Sequence, residues 1–318
     1  VIRVIVVGVG YLGRFHAQKY AQMEGVQLIG VVDERYDRAA EVALEVGTRP
    51  FSSIGDVDGT FEAASVVVPT IYHHKVGKEL LSRGVHCLIE KPISTTVEEA
   101  DELIALAADH GVVLQVGHLE RFNPAVKLLE ERATRPLFIE AHRLSGFKDR
   151  ATDVDVVLDL MIHDIEITLA LVDSPIREFR AAGVPVLTPK TDIANVRLMF
   201  ENGCTANLTA SRISLVDMRR IRVFQPGTYI SADCTDRKNL VVTRDLNAGP
   251  KEAIKPEFLS HETTDILQDE LEAFIRAVRG EESPKVTGEA GRNALMLALA
   301  INAQIQETLR TADIHRVP

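Results

Sequence analysis

The sequence contains no tryptophan, and only 5% of its residues are aromatic. Recognition of single-stranded nucleic acid relies on bases stacking on aromatic rings, so that function has little to work with here. A basic excess is missing too. The formal net charge is −10, which repels a polyanion overall and leaves room only for local cationic pockets. Cysteine is scarce: Cys87, Cys204 and Cys234 stand far apart, with no CxxC among them. That pattern excludes a zinc ribbon and a disulfide framework, and it predicts a reducing, cytoplasmic location. No apolar run approaches the ~20 residues needed to cross a bilayer, so no membrane partner is expected. The first strand begins at the second residue, and no signal peptide is expected before it. His73-His74 and His163-Asp164 offer ligand atoms, but neither HExxH nor paired Cys/His spacing occurs, and no metal is predicted.

What is present is an ordinary globular balance of 46% hydrophobic and 26% charged residues over 318 positions, enough for roughly two domains. The predicted class is α/β. In residues 1–118, short Val/Ile-rich runs alternate with amphipathic stretches. Strands are expected at 2–7, 27–32, 64–68, 85–89 and 112–116, and helices at 13–23, 35–45, 73–83 and 97–109. Such alternation implies βαβ units and a parallel sheet, a Rossmann domain. Residues 119–318 read differently. A helix is expected over 155–171, then strands at 176–182, 193–200, 204–213, 219–224 and 228–234, then helices at 264–278 and 289–308. The turn Glu201-Asn202-Gly203 suits a hairpin, because Asn-Gly readily takes positive φ. The second domain is thus expected to be α+β with a mostly antiparallel open sheet.

Strand 2–7 runs directly into Gly8-Val9-Gly10-Tyr11-Leu12-Gly13, with a helix behind it. In that setting Gly8 permits the tight turn, Gly10 lets backbone approach a pyrophosphate, and Gly13 lets helix and strand pack closely. The first helical N–H groups, from Tyr11 and Leu12 onward, then face the phosphates. Asp33 lies twenty residues beyond Gly13, at the end of the second strand. A carboxylate there accepts hydrogen bonds from ribose hydroxyls and repels a 2′-phosphate, which favours NAD over NADP. The neighbouring Arg35 softens that preference.

The tripeptide Glu90-Lys91-Pro92 ends the fourth of these strands. Strand ends of an open parallel sheet face the ligand crevice, so Lys91 is expected to face the cofactor. Together with Gly8–Gly13, Pro69, His73 and Gly84, this tripeptide resembles the glucose–fructose oxidoreductase/inositol dehydrogenase/MocA (Gfo/Idh/MocA) family. In the second domain, Asp159-x-x-x-His163-x-x-Glu166 is similar to that family's D-x-x-x-H-x-x-D helix, with Glu in place of the last Asp. The likeness covers the whole chain.

The resemblance implies an NAD-dependent dehydrogenase that oxidises a secondary hydroxyl of a sugar to a ketone. Lys91 and His163 would contact the substrate hydroxyl, with Asp159 beside them, and Pro69, His73 and Glu90 would lie along the cofactor. On an α-helix Asp159 and His163 share a face, one turn apart. Either Lys91 or His163 can serve as the base, the other stabilising charge on oxygen. Gly117-His-Leu-Glu-Arg121-Phe-Asn123-Pro124, Arg150 with Asp153, and Ser211-Arg212 resemble one branch of the family, whose members oxidise C3 of a UDP-N-acetyl-hexosamine. Arg121, Arg143, Arg150 and Arg212 are candidates to converge on a pyrophosphate through bidentate guanidinium contacts, and Asn123 to read sugar hydroxyls. Other sugars or cyclitols remain alternatives. So does a non-catalytic sensor that binds NAD(H) and a sugar, although Lys91, Asp159 and His163 are all present. The active site is expected in the cleft between the domains. A homodimer or homotetramer is expected through the open face of the second sheet.

Overall fold

The structure, a computed structural model, describes residues 1–147, 154–245 and 254–312. The chain divides into two compact units: Val1–Leu119 with Asp265–Leu295, and Glu120–Thr264 with Met296–Pro318.

In the first unit the Val/Ile runs form parallel strands, because β-branched side chains suit a sheet buried on both faces. The elements follow as β1 (Ile2–Val7), α1 (Tyr11–Gln22), β2 (Val26–Val32), α2 (Tyr36–Val46), β3 (Arg49–Phe51), β4 (Ala63–Val66), α3 (His73–Leu81), β5 (His86–Glu90), α4 (Val97–His110) and β6 (Leu114–Gly117). The sheet order is β3-β2-β1-β4-β5-β6, every pair parallel. This is the Rossmann order, and its switch point lies between β1 and β4. Helix α4 shows how local sequence fixes a start: Thr96 and Glu99 form a reciprocal capping box, satisfying two otherwise orphaned N–H groups. The three-residue β3 went unpredicted, since Arg49-Pro50-Phe51 has neither the length nor the alternation of a strand.

In the second unit come α5 (Pro124–Arg132), β7 (Phe138–Leu144), a π-helical stretch (Val157–Met161) leading into α6 (Ile162–Leu171), then β8 (Ile176–Val184), β9 (Ile193–Phe200), β10 (Thr205–Ser211), β11 (Met218–Gln225), β12 (Thr228–Asp233), β13 (Lys238–Arg244) and β14 (Ile254–Ser260). Their order is β14-β13-β12-β11-β7-β10-β9-β8. Only β7 and β10 run parallel; the other pairs are antiparallel. The β9–β10 hairpin turns at Gly203, at φ 87°. Buried Ile139, Val196, Leu198, Leu208, Val223 and Ile230 share one face of the sheet, against which α5 and α6 pack. On the opposite face Phe138, Phe224 and Tyr229 form a half-buried aromatic row.

The second unit does not run unbroken from residue 119. Helix α7 (Ile266–Val278) returns to the first unit, and α8 (Gly288–Thr311) follows it. The reason is the strong apolar face of α7: Leu267, Leu271, Phe274 and Ile275 join Val4, Ala17, Tyr20 and Leu88 in one core cluster. Replacing fully buried Phe274 by Ala should lower the stability of the first unit by about 3–5 kcal/mol. Denaturant unfolding followed by near-UV circular dichroism reads this as a lower midpoint, and an unchanged midpoint would contradict the role given to α7.

Candidate active site

The carboxyl ends of β1, β2 and β4 enclose a cavity of about 680 Å³, lined by Gly8, Gly10, Asp33, Arg38, Val68 and Pro69 among others. Gly8 adopts φ 87°, and a Cβ there would lie 2.6 Å from the Val67 carbonyl oxygen. A Cβ on Gly13 would overlap the Gly8 carbonyl, so α1 passes closer to β1 than any side chain permits. Gly10 is different. A Cβ there meets only an Arg38 nitrogen, at 3.7 Å, and what it would obstruct is the cavity. Gly10 caps α1 without a side-chain hydrogen bond, leaving the first-turn N–H groups to a ligand anion. Tyr11 is largely exposed and sets its ring edge-on to Phe15. Leu12 packs into the core, so only its backbone is available to a cofactor.

Asp33 ties two turns together. Its carboxylate accepts from Val9 N–H and from Arg35 N–H, each at 3.0 Å. Arg38, on the first turn of α2, approaches the same carboxylate at 3.8 Å. Sequence reasoning singled out Arg35, but Arg35 points to Asp37. The better-placed cation is Arg38, and a sequence signal existed in its position two residues into the helix behind Asp33.

His73 is buried, with its two ring nitrogens 2.8 Å from the carbonyl oxygens of Pro92 and Val68. Its ring thus spans the loop after β4, which carries Pro69, and the loop after β5, which carries Lys91, the neutral imidazole donating its single N–H to one of the two carbonyls. Burial lowers its pKa, and the two carbonyls pull the other way. Lys91 itself is half-buried at the end of β5. Glu90 turns inward from the same strand end, and its carboxylate lies 3.3 Å from His16. Glu90 is thus interior to the sheet, a placement that the expected role along the cofactor did not anticipate.

In the second unit Asp159 lies in the π-helical stretch and His163 on the first turn of α6. The α-helical spacing expected for this pair is therefore interrupted between them, as happens often at functional sites. Both are half-buried. The residues that flank His163 are fixed from below. Asp164 receives two hydrogen bonds from Arg143, at 2.8 and 3.0 Å, and Arg143 also donates to Glu120 at 2.9 Å. Glu166 is paired with Arg121, which reaches Glu130 as well. Burial pushes the Asp164 carboxyl up, and the Arg143 guanidinium opposes that push. Burial also works against ionisation of Glu120, but Arg143 and Arg219 outweigh it, so that carboxyl lies below its ordinary value.

These contacts correct the expected convergence of arginines on a pyrophosphate. Arg143 is 4% exposed and its fork is filled by carboxylates. Arg121 is likewise buried between two acids. Arg212 donates to the Val154 carbonyl and lies near Asp192, holding the approach to the π-helical stretch. Asn123, expected to read sugar hydroxyls, caps α5: it accepts from Ala125 N–H and donates to the Cys234 carbonyl. Its signal was legible as Asn followed by Pro, an N-cap with proline at N1. Arg150 and Asp153 lie outside the described residues.

Residues 2–118 match the profile of the oxidoreductase family with an NAD-binding Rossmann fold, and residues 130–226 that of the GFO/IDH/MocA C-terminal domain. The chain belongs to the Gfo/Idh/MocA family. It is 39% identical to the UDP-N-acetylglucosamine 3-dehydrogenase of Acidithiobacillus ferrooxidans, over 97% of this chain and 99% of that protein. The solved structure of that enzyme superposes with a TM-score of 0.90 over the same shares of the two chains. Myo-inositol 2-dehydrogenase of Thermotoga maritima is 25% identical over 96% of this chain and 97% of that protein. The fold is also that of scyllo-inositol dehydrogenase from Lactobacillus casei, solved with NAD(H) and scyllo-inositol, at 18% identity and TM-score 0.81 over 96% and 97% of the two chains.

This Gfo/Idh/MocA member is an oxidoreductase that uses NAD. The residues fit the cofactor: an uncapped helix start, a glycine whose side chain would fill the cavity, and a carboxylate at the end of β2. Replacing Asp33 by Ser should raise the NADP-to-NAD affinity ratio by about tenfold, or about 1.4 kcal/mol, in fluorescence titrations with the reduced cofactors. Arg143→Ala, which strips buried Asp164 of its hydrogen-bonding cation and leaves Glu120 with Arg219, should cost about 3–5 kcal/mol in denaturant unfolding. A loss of under about 1 kcal/mol, the scale of a surface pair, would show the network to be dispensable.

Proposed function

We propose that this enzyme oxidises the C3 hydroxyl of a UDP-N-acetyl-hexosamine to a ketone. The observation that carries this reading is the full-length identity of 39% to a protein named for that reaction, well above the 25% to inositol dehydrogenases. Lys91, Asp159 and His163 are present to perform it. Bound NAD supplies the hydride acceptor for the carbon that carries the hydroxyl. The protein's part is to manage charge and proton at the oxygen. Lys91 donates a hydrogen bond to that oxygen and stabilises the alkoxide character that grows as the C–H bond breaks. His163 takes the hydroxyl proton, leaving the C=O bond of the product, and Asp159 supports the imidazolium that results.

The ion pairs at Asp164 and Glu166 support this division of labour, since they tie the helical turn that begins at His163 to two separate arginines. For the nucleotide-sugar pyrophosphate, Arg150 is the candidate that remains from the original four. The aromatic row of Phe138, Phe224 and Tyr229 supports self-association through the open sheet face. The three cysteines are buried and unbridged, in keeping with a reducing cytoplasm.

Absorbance of reduced nicotinamide, after mixing enzyme with NAD and UDP-N-acetylglucosamine, tests the proposal. UDP-glucose, UDP-glucuronate and myo-inositol serve as comparators. Reduction with the acetamido sugar alone is the expected result. Turnover with another compound would discard the substrate and keep the dehydrogenase; silence with all four would favour a sensor. Lys91→Ala should lose at least about 10²-fold in kcat, a typical contribution of a positioned catalytic group, while still binding NADH by fluorescence. Unchanged turnover in that variant would sink the mechanism.

A further inference from the structure

Behind the Lys91 strand end the first unit gathers a group of buried polar side chains from four elements. Helix α1 contributes His16 and Tyr20, β5 contributes Glu90, β6 contributes Gln115 and Gly117, and α7 contributes Glu270. All are buried, with His16, Tyr20, Gln115 and Glu270 at 0% exposure. Tyr20 is spoken for: its hydroxyl pairs with Ser65 at 2.9 Å. Gln115 donates to the backbone carbonyl of Glu270 at 3.4 Å. The carboxylate of Glu90 lies across Gly117, where a Cβ would come within 2.7–2.9 Å of its carboxyl atoms. Glycine at 117 therefore makes the room that Glu90 occupies.

Two members have no hydrogen-bond partner among the described residues on any polar side-chain atom, His16 and Glu270. His16 at least faces the Glu90 carboxylate at 3.3 Å, whereas both carboxyl oxygens of Glu270 are out of water with no such neighbour. An ionised carboxylate in such a place would lack every donor that makes burial of a charge tolerable. A second acid, Glu90, stands near it, and a neighbouring negative charge further disfavours ionisation of Glu270. The titratable groups around Glu270 are Glu90 from β5, with His16 and Tyr20 from α1; β6 adds only the neutral Gln115. Among the described residues no Lys or Arg acts on the Glu270 carboxyl.

We propose that Glu270 is a positioning residue for Lys91: a neutral carboxylic acid whose side chain fills the space behind Glu90 and adds no charge there, so that Glu90, facing His16, holds the Glu90–Lys91 backbone at the end of β5. This rests on the catalytic role given to Lys91 above. Burial, reinforced by the charge of Glu90, drives the Glu270 carboxyl well above its ordinary range, in agreement with the geometry. The linkage has a definite sign. A carboxyl whose folded pKa is raised loses stability for the fold as pH climbs above its unfolded value, because the unfolded chain gives up the proton and the folded one keeps it. Glu270→Gln, neutral at every pH and nearly the same shape, escapes that loss.

Three readouts test this on the full chain. In infrared spectra at pH 7–8, wild type should show the carbonyl stretch of a protonated carboxylic acid, and Glu270→Gln should lack it. In thermal unfolding from pH 5 to pH 9, the stability gain of Glu270→Gln over wild type should grow with pH. Finally, the rate at which an amine reagent labels Lys91, mapped by mass spectrometry, should match wild type in Glu270→Gln and change severalfold in Glu270→Ala. No carboxylic acid band, or a pH-independent gain, would overturn the neutral acid. Equal Lys91 labelling in all three proteins would overturn the positioning role. None of these measurements needs a substrate, so they can succeed or fail independently of the proposed reaction; should Glu270→Ala not fold, the Glu270→Gln arms still decide the protonation.

Discussion

Much of the first unit hangs on the close passage of Gly13 over the carbonyl of Gly8. Because no Cβ intervenes, α1 starts directly above the end of β1, with its uncapped N–H groups turned to the crevice. The same approach sets His16 and Tyr20, further along that helix, into the interior. One contact thus governs both where an anion can be received and which polar groups line the space behind the sheet. The Asp33 carboxylate completes the arrangement by bonding the N–H groups of two successive βα turns. An acid usually read as a ribose ligand is therefore also part of the frame that holds the crevice open.

The second unit solves a different problem, that of carrying charge inside a sheet-and-helix core. Arg143 occupies an inward position of β7, where alternation calls for an apolar residue. It is tolerated because Asp164 and Glu120 meet it with hydrogen bonds as well as charge. Exchanging such a group for a hydrocarbon is often neutral for stability, whereas leaving one partner alone is not. What the network secures is direction: the turn that bears His163 continues into two acids, Asp164 and Glu166, each anchored to a separate arginine.

That contrast explains what could be read in advance. Parallel strands buried on both faces announce themselves as continuous Val/Ile runs, and the glycine turn with its acid sits in a fixed order, so the Rossmann unit and its nucleotide crevice were legible nearly residue by residue. Strand β7 was not, because Arg143 stands inside while Phe138 and Leu144 stand at half-buried positions, which scrambles the period-two signal. Strand β14 was hidden for another reason: it is an exposed edge with Pro256 and charged residues, the features that blunt an edge. For the arginines, sequence supplies the residue type but not the partner. Guanidinium forks suited to a pyrophosphate are equally suited to carboxylates, and here Glu120, Glu130, Asp164 and Glu166 reach Arg121 and Arg143 first. The π-helical stretch that carries Asp159 left no trace in a pattern of Leu, Met and Ile that fits an α-helix equally well.

The return of α7 to the first unit has a consequence for the order of assembly on the ribosome. Synthesis proceeds from the N-terminus, so all of β1 to β6 has emerged while Leu271 and Phe274 are still to be made. Until then the groove they fill, beside Val4, Ala17 and Leu88, is bare apolar surface. At ~5–20 residues per second the 159 residues from 119 to 278 take roughly 8–32 s. For that interval the nucleotide-binding unit is an incomplete body in a crowded cell, dependent on chaperone cover or on fast folding of the segment between. Its last piece closes the core and brings in Glu270, so the unit gains its seal and its buried acid in a single late step.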